Sequence, residues 1–146
     1  MDRGRVIRAA RNAAIILLIM FGMVWVKTYF SGRAQYMAGE KALQAGNTRE
    51  AITDYETAIH MYTPFSSYVP DSAERLWEIG QSFEKSGDYD WALISYRALR
   101  SSFYAVRSFY TPYREWIERT ETQIDAVLAE QGKQKPPEAK AKEAGH

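Results

Sequence analysis

The sequence predicts an all-α chain: a single N-terminal transmembrane helix, then two helical hairpins and a C-terminal capping helix. Three observations carry this. An uncharged apolar run, Ala13 to Val26, follows an arginine-rich start. A pattern of small and aromatic residues recurs at a constant offset of 41 positions. Near the other end, apolar residues from Tyr113 to Leu128 recur at three- and four-residue steps with charges between them, the period of an amphipathic helix.

The apolar run AAIILLIMFGMVWV, extended through Lys27 to Phe30, reaches 18 residues, or about 27 Å of helix, near the lower limit for crossing a bilayer. Lys27 can snorkel, and Trp25, Tyr29 and Phe30 suit an interface. Arg3, Arg5, Arg8 and Arg11 stand before it against a single Asp2. Positive charge is retained on the cytoplasmic side, so the expected topology is N-terminus inside and the rest outside. Residues 1–31 are assigned to this basic start and anchor, 32–131 to a helical domain and 132–146 to a tail. A cleaved signal peptide shares the same beginning. Its best cleavage site, Gly32-Arg33-Ala34, carries a charge between the small residues and follows bulky Tyr29-Phe30.

The repeat is read by setting Gly39-Glu40-Lys41-Ala42-Leu43-Gln44-Ala45-Gly46-Asn47 above Gly80-Gln81-Ser82-Phe83-Glu84-Lys85-Ser86-Gly87-Asp88. Ala51 then matches Ala92, Ile52 matches Leu93, and Tyr55 matches Tyr96. Small residues let two helices approach closely, and a ring fills the space between units. Asn47 with Glu50, and Asp71 with Glu74, have capping-box spacing. Between Pro64 and Pro70 lies an extra loop. The last helix is expected to start at Thr111-Pro112 and end near Gln131-Gly132. The tail beyond, with two consecutive prolines and no aromatic or β-branched residue, is expected to be disordered.

Gly39, Gly46, Ala51, Tyr55 and Ala58, with Gly80, Gly87, Ala92 and Tyr96, resemble the tetratricopeptide repeat. The resemblance covers about residues 33–100. That family repeats every 34 residues, so the offset of 41 implies a seven-residue insertion, Pro64 to Pro70. Leu99 stands where the family prefers a small residue. The resemblance implies two TPR-like hairpins whose first helices form a concave face. It places Tyr36, Glu40 and Leu43 there from the first unit, and Glu74, Trp77, Gln81 and Glu84 from the second. The Lys/Asn/Arg set that clamps a peptide carboxylate in chaperone-binding relatives is missing. An aromatic, acidic groove for an amphipathic helix or a basic segment remains; the alternative reading is that Tyr36 and Trp77 shield a small core.

Charge is polarised along the chain. Residues 40–90 hold ten acidic against four basic side chains, whereas 97–119 hold five arginines against Glu115 and Glu118. Arg97, Arg100, Tyr104, Arg107 and Tyr110 form a second candidate contact patch, for a protein or lipid headgroups. Its alternative reading is packing, with Tyr96, Phe103 and Tyr110 plugging the last helix and arginines stacked over rings.

Composition narrows the chemistry. The net charge of +1 argues against a wholesale polyanion binder, cysteine is absent, and one of the two histidines is the last residue. That leaves no thiol nucleophile and little for metal ligation or a Ser/His couple. No cofactor, metal or nucleic-acid partner is expected. His60 reads as a packing or surface residue. The expected function is a membrane-anchored scaffold at the periplasmic face of a bacterial inner membrane, an accessory subunit of a larger complex. Its partners would be proteins, with lipid contacted through residues 13–30. Two repeats are fewer than independent stability usually needs, which favours a partnered chain. The alternatives are a cell-wall hydrolase using Glu74, Glu78 or Glu84, and a protein like the mitochondrial import receptors that carry an anchor and repeats.

Overall fold

The computed structural model describes residues 3–107 and 113–134. These form five helices: α1 (Arg3–Gln44), α2 (Thr48–His60), α3 (Tyr68–Ser86), α4 (Tyr89–Ala105) and α5 (Arg114–Gln134). Among the described residues there is no strand. Thr111-Pro112, Tyr110 and the tail from residue 135 lie outside the described residues.

α1 is 42 residues long, about 63 Å at 1.5 Å per residue. It is long and apolar enough to cross a membrane. Its large apolar side chains from Val6 to Val26 are exposed, Leu18 and Phe21 each to 70%. Water would penalise such a surface and lipid would not. The helix does not stop where the anchor was expected to end: the division after residue 31 falls inside α1. The apolar stretch and the first helix of the folded domain are one rod.

The C-terminal third of α1 pairs with α2, and α3 pairs with α4. Both hairpin turns close identically. Gly46 and Gly87 sit in the left-handed region, at φ 80° and 79°. The Gly46 N–H bonds the Leu43 carbonyl and the Asn47 N–H bonds that of Ala42; Gly87 to Glu84 and Asp88 to Phe83 repeat the pattern. This is the Schellman closure, which satisfies carbonyls otherwise orphaned at a helix end.

Each hairpin is locked by a tyrosine lying on a glycine. A Cβ on Gly39 would come within 2.8 Å of the Tyr55 ring, and one on Gly80 within 2.6 Å of Tyr96. Both rings are fully buried. Each has a second aromatic neighbour at the matching position: Tyr36 at 5.9 Å from Tyr55, Trp77 at 5.0 Å from Tyr96. Ala51, Ala58 and Ala92 are fully buried and keep the helices close. The buried hydroxyls of Ser72, Ser95, Ser102 and Thr120 donate to carbonyls four residues back, so small polar residues enter the core without an unmet donor. Hairpins meet through α2 against α3 and α4, and α5 packs on α4.

Two local expectations are corrected. α3 starts at Tyr68, not after Asp71, so Tyr68-Val69-Pro70 are its first residues and the connection is Met61–Ser67. The cause is Tyr68: its ring is buried against Tyr29 and Gly32, and its hydroxyl donates to the Met61 carbonyl at 2.6 Å. That anchorage pulls the helix start upstream. Pro70 is tolerated because the first-turn N–H groups have no helical partner. At Asn47 the side chain makes no bond to the backbone and instead reaches Glu50 at 3.5 Å, whereas Asp88 accepts from the Trp91 N–H as an N-cap should.

Candidate partner-binding site

The face assembled from α1 and α3 does not run unbroken from Tyr36 to Glu84. α5 lies over its second half. Trp77 is buried, its ring 6.0 Å from that of Trp116 and capped by the Arg119 guanidinium at 3.9 Å. Glu84 accepts bonds from the Tyr96 hydroxyl and from the Gln123 amide. Trp77 and Glu84 therefore hold α5 in place and do not line an open groove. Gln81 and Glu74 stay exposed on α3.

The first half is closed more lightly. Glu40 accepts from the Tyr55 hydroxyl at 2.7 Å and from both Nε and Nη2 of Arg75, at 2.7 and 3.1 Å. Arg75 also reaches Glu78 at 2.9 Å. Burial pushes the Glu40 carboxyl upward, but the bonds from Tyr55 and Arg75 outweigh it and hold it below the ordinary glutamate value. The Tyr55 and Tyr96 hydroxyls are both pushed up, first by burial and then by their hydrogen bonds to Glu40 and Glu84. Tyr36 is half-buried, its hydroxyl also raised by burial and by the Glu40 charge.

Open space lies at the turn end of the hairpins. A cavity of about 750 Å³ is bounded by Gly46 through Glu50, Thr53, Asp54, Phe83 and Trp91. A smaller cleft of about 320 Å³ is lined by Leu43, Thr48, Glu78, Ile79, Ser82 and Phe83. Thr48 and Phe83 border both, so the two lie side by side in a two-part depression. Its wall is aromatic: Phe83 and Trp91 stack at 5.8 Å, and the Arg49 guanidinium covers the Trp91 ring at 5.3 Å. Its lining also carries two carboxylates, exposed Glu50 and half-buried Asp54, one turn apart. Burial and the Glu50 charge both raise the Asp54 carboxyl above the ordinary aspartate value. A positive group entering here would relieve that repulsion.

Leu43 is the expected groove residue that reaches this depression. Phe83, Trp91, Arg49 and Asp54 were not singled out from sequence. A signal for two of them was present: across the repeat Phe83 replaces Ala42 and Trp91 replaces Glu50, so these are positions where the second unit departs from the first.

In the second patch, Arg97, Tyr104 and Arg107 are exposed and Arg100 is half-buried. The Tyr104 hydroxyl donates to Glu121 at 2.7 Å and Arg107 covers its ring at 5.4 Å. Tyr96 and Phe103 are core residues. Of the carboxylates considered for hydrolysis, Glu78 lines the smaller cleft, Glu84 is engaged under α5 and Glu74 faces solvent. His60 is exposed. Comparison with protein-family models, curated proteins and solved structures finds no match for this chain.

Proposed function

We propose that this protein is a membrane-anchored, tetratricopeptide-like scaffold that holds a partner protein beside a membrane. The observation that carries the reading is one rod, α1, with two parts. Its N-terminal part exposes an apolar surface suited to lipid, and its C-terminal part helps build a depression with an aromatic wall and two lining carboxylates. The repeated turn closures and tyrosine-on-glycine contacts support the family likeness. The four arginines before the apolar stretch favour a cytoplasmic N-terminus, which puts the domain on the periplasmic side if the membrane is a bacterial inner membrane. Aromatic and arginine side chains are the usual anchors of protein contacts, and the two carboxylates select a basic segment, either an amphipathic helix or an extended chain. A domain of only two hairpins fits an accessory subunit of a larger membrane complex.

The test is affinity purification of the full chain in mild detergent. Phe83→Ala combined with Asp54→Lys should reduce co-purifying protein about tenfold or more, the loss expected when a central contact is removed. Helical content should stay unchanged. Undiminished recovery with an intact fold would remove this depression as the docking site.

A further inference from the structure

The connection Met61–Ser67 carries an apolar side chain with no role in the fold. Phe65 is fully exposed, and its backbone sits at φ 67°, a region that a bulky L-residue adopts only under constraint. The turn beneath it is fixed. The Ser66 N–H and hydroxyl both bond the Thr63 carbonyl, at 3.1 and 2.8 Å, and the Thr63 hydroxyl meets that of Tyr68 at 2.9 Å. Thr63 and Ser66 are buried while Pro64 and Phe65 project. A rigid turn thus presents a ring outward, at a cost in apolar exposure that water does not repay.

Its height along α1 follows from Tyr68. That ring lies 5.7 Å from Tyr29 and against Gly32, so the turn sits level with the end of the exposed apolar stretch. Helices α1 to α5 alternate in direction, which brings the last turn of α4 and the residue before α5 to the same end: Tyr113 touches Tyr62 at 6.5 Å and Phe103 at 5.5 Å. Arg107, exposed just beyond the end of α4, adds a positive charge at this level. A projecting phenyl ring, aromatic neighbours and an arginine beside the end of a membrane-length helix match the composition of a bilayer interface.

We propose that Phe65 is a second membrane contact. The turn dips into the interfacial layer of the leaflet from which α1 emerges, so the domain lies on the bilayer with the hairpin turns Gly46 and Gly87 pointing away. This rests on the reading of α1 as the span. Two contacts in place of one would fix the domain's orientation and direct the acidic depression away from the lipid.

The chain has no cysteine, so single labelling sites are clean. The full chain would be reconstituted in vesicles of phosphatidylethanolamine and phosphatidylglycerol containing a lipid with a headgroup nitroxide. A fluorophore is placed at Ser67→Cys, beside Phe65; at Asn47→Cys, in the far turn; and at Leu18→Cys, where a second vesicle set carries the nitroxide on the acyl chain. The expected result is strong quenching at Ser67, little at Asn47, and acyl-chain quenching at Leu18. Adding Phe65→Ser should lower the Ser67 signal to the Asn47 level without changing helical content. Equal quenching at Ser67 and Asn47, or a Ser67 signal indifferent to Phe65→Ser, overturns the contact while leaving the span intact. Absence of quenching at Leu18 overturns the span and the contact with it.

Discussion

The two hairpins share an interior and differ in their cover. Inside, Gly39 under Tyr55 and Gly80 under Tyr96 are equivalent, as are the closures at Gly46 and Gly87. Outside, the matching rings Tyr36 and Trp77 meet different fates. Trp77 is sealed beneath Arg119 and Trp116 of α5, whereas Tyr36 stays half-buried beside the Glu40–Arg75 pair. Even the carboxylate that receives the tyrosine hydroxyl moves: Glu40 directly follows its glycine, and Glu84 lies four residues beyond Gly80. Repetition in sequence therefore specifies how a hairpin closes on itself. What a hairpin exposes depends on the element that follows it.

The two interiors are most sensitive at their rings. Tyr55→Ala and Tyr96→Ala should each cost about 4 kcal/mol, as large buried truncations do, measured by denaturant unfolding of the full chain in detergent. Unequal losses would show that the two interiors are not equivalent. Adding a methyl beneath the rings is milder. Gly39→Ala and Gly80→Ala should each cost about 2 kcal/mol, because a buried ring cannot withdraw from a Cβ. The turns come next: Gly46→Ala and Gly87→Ala, forced into the left-handed region, should each cost roughly 1–2 kcal/mol.

The smallest effect sharpens the difference between the covers. Arg75 is more than a third exposed, so Arg75→Met should cost less than about 1 kcal/mol at neutral pH. Its pH dependence is more telling. Glu40 titrates lower when folded than unfolded. Its contribution is therefore complete above the unfolded glutamate pKa, about 4.3, and is lost as pH falls through the folded value. Removing Arg75 raises that folded value, so the variant should unfold at a higher pH than wild type in an acid titration followed by circular dichroism.

Much of the interior was legible in the sequence because its requirements are local and one-residue specific. A helix end in the left-handed region asks for glycine, and a ring on a backbone asks for glycine beneath it, so the 41-residue offset could be read directly. The cover was not legible. Trp77 sits at the register position of Tyr36, and nothing in that register says that Arg119, 42 residues later, will stack on it. The start of α3 was missed for a related reason: Asp71 and Glu74 have the spacing of a cap, but the burial of Tyr68 against Tyr29 and Gly32 decided the matter at longer range. At the candidate site, Leu43 was expected. Phe83 and Trp91 were not, because their meaning lies in departing from the repeat.

The most direct measurement uses photocrosslinking side chains introduced one at a time in the full chain reconstituted in vesicles, at Ser82 in the depression and at Asp125 on the exposed face of α5. A scaffold whose partner occupies the depression should yield a discrete heavier species from Ser82, abolished by Asp54→Lys, and none from Asp125. Equal yields from both positions, or a Ser82 product indifferent to Asp54→Lys, would contradict it.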